Sequence, residues 1–555
     1  MFSVFIKKQN GPVYQTWNER LCLISIIFLM SILLLRGVHN PTISGFADAE
    51  RHLMDGVFIL DFLREMPIDN IYNFTAEYYA KYPAISIGYH PPFFPFIEAL
   101  CNALFGINIW SSRLAIVLFA IVGIVAWFKL VQRMFNTQTA FWYSVLLVTT
   151  PYVVQWGWYT MAEIPALSMT MLTAYIFYRY TETEKPVFLY ATAIAFSLTV
   201  WTKQTTIFII PWFILYLIVR RQFINVIKRK ETWISGVLTA ILIAPLAIIT
   251  FWLGNQNIDQ SIGHAEYSKL SWENLRIYLS ILVKFHISWP LIVLCCGGFG
   301  WALWRRDKRS LYFVLLIICV YVFFTFLNVK TKRYTIFWIP AFCLFAALPV
   351  LYLQRYKPYY IVGILVLTAT VIYQIISVYT TPLFYITGYD EAVQYVLQKN
   401  QMPVVFFDGR HKNYFIYLMR SLNDKKPMYI LRGDKLLTSS SITPGHWLKV
   451  HAHSREDIEK IFDEYGIVYI VVEREDWTGI KIHQELRSFL DSGPFKLVKE
   501  IPVKTNRWQP QTLKIYEYVN AKPGSAHTLK LRLPSVGQTL NVPIRHIHNA
   551  EENDQ

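Results

Sequence analysis

Four short clusters hold the residues whose types allow chemistry. The first, Phe46-Ala47-Asp48-Ala49-Glu50-Arg51, brings two carboxylates and a guanidinium to the head of a stretch in which Leu53, Val57 and Leu60 share one helical face. An ionised Asp48 can take a proton from any hydroxyl within hydrogen-bond reach. It equally suits a helix N-cap or an ion pair with Arg51. The second runs from Tyr78-Tyr79-Ala80-Lys81-Tyr82-Pro83 to Gly88-Tyr89-His90-Pro91-Pro92, with a titratable imidazole between aromatic rings and a rigid turn. Tyrosine rows of that kind ordinarily form an interfacial belt. Glu163 is the third, a carboxylate at the head of an apolar run, where charge is functional by default. The fourth is cationic: Lys203, Lys330, Lys332 and Arg333. Arg333 is the strongest anion holder among them, since its planar fork can bind two phosphate oxygens at once; headgroup snorkelling is the bland alternative. His264 and His286, with Glu266 and Lys269, read as solvated loop chemistry. A divalent metal shared by Asp48, Glu50, His90, Glu163 and His264 is chemically possible, but no spacing among them resembles a metal motif, and no metal site is assigned.

The elements that must position these groups lie in a membrane. Of 555 residues, 54% are hydrophobic and only 16% charged, outside the range of ordinary soluble domains. Lys and Arg outnumber Asp and Glu by 53 to 37, an excess that suits cytoplasmic loops facing anionic lipid rather than nucleic acid. All six cysteines fall in apolar stretches, which argues against a disulfide framework or a cysteine metal site. Eleven runs approach the roughly 20 apolar residues a spanning helix needs: 21–38, 112–131, 138–155, 163–180, 187–202, 205–221, 233–252, 288–304, 311–327, 335–353 and 359–378. Every second junction between them is basic, including Lys129 with Arg133, Arg220 with Arg221, and Arg305 with Arg306. Those junctions face the cytoplasm, as does the N-terminus 1–20, and the apolar run from Leu21 to Leu35 that follows is expected as a retained span because no small-residue cleavage site comes after it. The loop 39–111 and everything after 382 then lie outside. The apolar segment 93–106 is too short and too rich in proline to span, and is expected as a re-entrant or interfacial helix within that first outer loop.

Beyond the transmembrane domain at 21–382, the composition turns soluble. Helices expected at 389–399, 411–421, 454–465 and 483–491 alternate with short apolar runs, which suggests an extracytoplasmic α/β domain over 383–520. Asp408-Gly409-Arg410-His411, at a strand end, is a candidate for a small binding site. The segment 521–555 is poor in large apolar residues and is expected to be disordered.

In their order along the chain these residues resemble the membrane-embedded GT-C glycosyltransferases of the protein O-mannosyltransferase and aminoarabinose transferase group. The resemblance rests on the long first outer loop with acids just beyond the first span and on His90-Pro91-Pro92. It continues through Met161-Ala162-Glu163-Ile164-Pro165, Trp201-Thr202-Lys203-Gln204-Thr205 and Lys332-Arg333-Tyr334 before Pro340, and covers about residues 20–350. The group has adjacent Asp-Glu where Asp48-Ala49-Glu50 stands, which leaves the role of Glu50 open. The aminoarabinose enzymes commonly have lysine at the place of His90, so His-Pro-Pro leans toward the mannosyltransferase branch.

The resemblance implies inverting transfer of a sugar from a polyprenyl-phosphate donor to a lipid, glycan or protein acceptor at the outer face of a plasma (inner) membrane. Asp48 would be the base. Glu50, Arg51, Tyr89, His90, Glu163, Lys203, Lys332 and Arg333 would bind substrate. A sugar phosphate already carries a good leaving group, so a single carboxylate suffices, unlike glycoside hydrolysis with its two. The competing expectation is a transporter or flippase of a lipid-linked sugar. Such proteins favour inverted repeats with ionisable groups at the bilayer midplane, whereas here these groups gather in outer loops.

Overall fold

A computed structural model of the chain describes residues 18–543 except for 39–46, 87, 254–257, 259–260, 262, 264–266, 354–355, 400–403, 424–427, 441–447, 523, 526–527 and 534–537. His264 and Glu266 lie outside the described residues. Helices occupy all eleven apolar intervals. Three of them, Ile109–Met134, Lys230–Trp252 and Lys357–Thr380, are long and apolar enough to cross a membrane by length and composition, and shorter apolar helices accompany them. Pro151 divides the third interval into Thr137–Thr149 and Pro151–Trp158. It sits at the first position of the new helix, where a missing N–H leaves no bond unmade.

Polar contacts sort the helix ends into two sets. At one end Lys129 and Gln132 reach Glu19, Arg133 reaches Glu182, Arg229 reaches Glu184, and Arg309 donates to the Met134 carbonyl. These are the basic junctions read from the sequence, gathered on one face. At the opposite end Arg36 donates to the carbonyls of Val378, Tyr379 and Thr381, closing the first apolar helix against the last.

The segment after the first apolar helix folds into three α-helices, Ala47–Glu65, Ile71–Lys81 and Phe93–Phe105. The last has 13 residues, and at 1.5 Å per residue reaches about 20 Å, short of a bilayer core of about 30 Å. Ala47–Glu65 serves two cores. Ala49 packs with the bundle, whereas Leu53, Met54 and Val57 pack with the C-terminal part of the chain. Tyr78, Tyr79 and Tyr82 belong to this second core as well, each less than 10% exposed. The sequence suggests an interfacial belt for them; instead an amphipathic ring here covers a protein surface.

That C-terminal part is α/β. Strands Ile430–Arg432, Val404–Asp408 and Ile467–Glu473 run parallel, and Gln511–Tyr518 with Phe495–Val503 extend the sheet antiparallel in that order. The central strands are apolar almost throughout because both faces are covered. Helices Tyr389–Leu397, Lys412–Ser421, Arg455–Tyr465 and Lys481–Ser492 fall where the sequence places them. The expected disorder of 521–555 is overturned in part. Thr528–Leu533 and Gln538–Pro543 pair as an antiparallel hairpin whose Leu529 and Val542 are buried. The alternation Leu529, Leu531, Leu533 carries that signal; overall polarity masks it.

Candidate active site

Asp48 stands in the first turn of Ala47–Glu65, where the positive end of the helix dipole favours a carboxylate. Arg333 precedes the turn Tyr334–Trp338 and crosses 285 positions of sequence to meet it, Nη2 donating to Asp48 Oδ2 at 2.8 Å. The same guanidinium approaches Glu163 Oε1 through Nε at 3.5 Å. Lys203 closes the row, its ammonium donating to Glu163 Oε1 at 2.6 Å, and Arg51 flanks Asp48 on the other side at 4.0 Å. The order is therefore Arg51, Asp48, Arg333, Glu163, Lys203, with signs alternating. Three cations against two carboxylates leave one surplus positive charge. Glu163 is sealed at 1% side-chain exposure, whereas Asp48 and Arg333 keep 25% and 22%. The row thus opens to a ligand at its Asp48–Arg333 end. Burial pushes the Asp48 carboxyl up, but Arg333, His90 and Arg51 outweigh it and hold the group well below the usual carboxylate range.

His286 explains how Arg333 is aimed. It is fully buried rather than solvated in a loop. Trp338 Nε1–H donates to its Nδ1 at 2.8 Å. Nε2 then carries the proton and donates to the Lys332 carbonyl at 2.7 Å, fixing the backbone beside Arg333. Lys332 itself leaves the row, its ammonium lying 4.9 Å from the Phe285 ring centre. Lys330 donates to the carbonyls of Phe324, Thr325 and Leu327 and so caps the helix Leu311–Phe326, a structural role for a cation in that position.

His90 lies on the same side of Ala47–Glu65 as Asp48. Its Nδ1 is 3.2 Å from Asp55 Oδ2, and its ring stacks on His52 at 4.0 Å. Burial pulls His90 down to about 4 against the opposing charge of Asp48, and pushes Asp55 up to about 7. Between those values the imidazole is neutral and the carboxyl protonated, so the pair carries no net charge there. Tyr89 packs edge-on to His90 at 5.0 Å; burial, then the facing Asp48, raises its hydroxyl to about 12, so it stays protonated. His52 and Asp55 do not stand out in the sequence, although their i+4 and i+7 spacing from Asp48 puts all three on one helical face.

His52, Asp55 and His90 bring three ligand-type atoms within 4.8 Å of one another. The two imidazole planes differ by only 14°, so their in-plane lone pairs run nearly side by side instead of converging as a tetrahedral ion requires. These residues do not fit a metal, and Asp48 and Glu163 already have cationic partners.

Two candidates lie elsewhere. Glu50 turns from the row and accepts from His411 Nδ1–H at 2.7 Å in a buried contact. Asp408 is not an open binding site: it is 2% exposed and occupied by His483 at 3.0 Å and Arg487 at 2.8 Å.

The overall architecture of the chain recurs in solved structures. ArnT from Cupriavidus metallidurans bound to undecaprenyl phosphate aligns with a TM-score of 0.60 at 11% identity, over 89% of this chain and 97% of that one. Its apo state gives 0.61 at 11% identity, over 90% and 98%. The chain has the GT-C fold. A further GT-C structure, the apo oligosaccharyltransferase of Archaeoglobus fulgidus, aligns at 0.52 with 10% identity, over 83% of this chain and 70% of that one. Residues 89–249, which carry His90, Glu163 and Lys203, match the family model of dolichyl-phosphate-mannose-protein mannosyltransferases. No curated protein sequence matches the chain.

Proposed function

We propose that the protein is an inverting glycosyltransferase that moves a sugar from a polyprenyl-phosphate donor to an acceptor hydroxyl or phosphate. It would do so at the outer face of a plasma (inner) membrane, with the basic bundle end and the N-terminus cytoplasmic and the α/β part outside. The observation that carries this reading is the 2.8 Å contact between Asp48 and Arg333. It joins a base and a phosphate holder at the open end of a row with one positive charge to spare.

With a hydroxyl acceptor, Asp48 takes its proton as that oxygen attacks the anomeric carbon. The new glycosidic bond forms while the bond from that carbon to phosphate oxygen breaks, and the bonding pair leaves with the lipid phosphate. Arg333, with Lys203 behind it, neutralises the charge that develops there, the role such donors perform best in a water-poor site. In the free protein Asp48 is a weak base, because Arg333 holds it ionised. Donor phosphate competes for the same guanidinium, so its arrival loosens Asp48 and raises its basicity. Binding thus switches on the base, and the donor must precede the acceptor. His90 and Tyr89, neutral beside Asp48, are placed to hydrogen-bond the sugar. The ArnT structure of this fold binds undecaprenyl phosphate, the same chemistry as the proposed donor's carrier.

The test incubates the purified protein with a panel of labelled polyprenyl-phosphate sugars and mixed acceptors. Label is expected to move into an acceptor from at least one donor, at a rate unchanged by chelation of divalent ions. Donor crossing a vesicle bilayer with its sugar–phosphate bond intact would favour the flippase instead.

A further inference from the structure

Ala47–Glu65 is held along its length by one helix of the α/β part, Lys412–Ser421, together with the residue preceding it. Near its start, His411 donates to Glu50 and Asn413 Nδ2 donates to the Ala47 carbonyl at 3.4 Å. Near its end, Arg420 grips Asp61 through Nε at 2.9 Å and Nη2 at 2.7 Å, and the Tyr78 hydroxyl donates to the same carboxylate at 2.8 Å. The bond from Asn413 lies one residue before Asp48 and that from His411 two residues after it. Glu50 and His411 are 2% and 4% exposed, and His411 Nε2 is buried with no hydrogen-bond partner among the described residues. Neither group faces the row of charges. A buried imidazole whose one side-chain hydrogen bond among the described residues goes to this glutamate contributes through geometry, and this bond and that of Asn413 bracket Asp48 on its helix.

We propose that Glu50 and His411 are positioning residues: through them the α/β part sets the place of Asp48 against Arg333, so that the outer domain is a component of the catalytic unit. The proposal rests on Asp48 as the base. Displacements near 1 Å at a reacting group cost on the order of 10²-fold in rate. In full-length protein, His411→Leu and Glu50→Met are therefore each expected to lower kcat about 10- to 100-fold with donor KM within about twofold. The double variant should be no worse than the poorer single, because both remove one bond. His411→Asn, whose amide retains a donor near the place of Nδ1, should recover most of the rate. Unchanged kcat in His411→Leu, a loss carried by KM, or multiplying losses in the double variant would overturn the inference. If His411→Leu prevents folding, Glu50→Met and His411→Asn decide it alone.

A second readout separates this proposal from the assigned function. Should wild-type protein transfer sugar from no donor, the function fails, and amide exchange then tests the positioning. Faster exchange over residues 47–52 in Glu50→Met, with 55–65 unchanged, supports it, and identical exchange over 47–52 sinks it.

Discussion

Asp48→Asn is expected to reduce transfer by about 10²- to 10⁴-fold, the range that a positioned general base contributes. Asparagine is the informative replacement because it matches the carboxylate in shape. Its amide oxygen can still accept from Arg333 Nη2, so the contact now measured at 2.8 Å need not collapse. What disappears is the capacity to take a proton. The loss should fall on kcat, with donor KM unchanged or lowered, because the neutral amide would compete less with the donor phosphate for Arg333. Single-turnover measurement with saturating labelled donor isolates that step. A variant within tenfold of wild type would remove Asp48 from the chemistry.

Arg333→Lys should cost nearly as much, about 10²- to 10³-fold, the loss seen when one donor to a developing negative charge is removed. Charge is conserved in this substitution; the fork is not. Arg333 addresses Asp48 through Nη2 and Glu163 through Nε, and a lysine offers a single point charge that cannot span both. The buried Glu163 keeps Lys203 as a partner, so the fold should survive and the melting temperature should move by only a few degrees. Arg333→Ala is a poorer probe, since stripping one partner from a buried charge cluster destabilises the protein for reasons unrelated to catalysis. Lysine supporting the wild-type rate would show that neutralisation, without bidentate geometry, is all the site requires.

The helices are legible in the sequence because each apolar run stands out locally against its polar flanks. That Lys203 and Arg333 stand apart from the basic junctions is legible too, and the structure brings both to Glu163. Contacts closed over hundreds of residues leave no local trace. Nothing near Glu50 announces His411, 361 positions away, and the two-residue spacing from Asp48 invites a shared role that the helix prevents by turning the side chains apart. His286 misleads for a related reason: an imidazole near a polar loop looks the same whether it meets water or is capped by an indole N–H and a carbonyl. Tyr78 and Tyr79, by composition alone, belong against lipid headgroups. Their partners are Asp61 on the neighbouring helix Ala47–Glu65 and Lys435 in the α/β part, contacts that only the folded chain brings together.

On the proposed function, the alternating row would also govern the end of each turnover. A donor phosphodiester carries one negative charge, which the single surplus cation balances. Once the sugar has gone, the spent carrier is a monoester with about 1.5 to 2 negative charges near neutral pH, and it presents an additional anionic oxygen to Arg333. The protein should therefore hold the spent carrier more tightly than the donor. Free polyprenyl phosphate should inhibit competitively against the donor with an inhibition constant below the donor KM. An inhibition constant far above that KM would show that the surplus charge is spent on something other than the carrier.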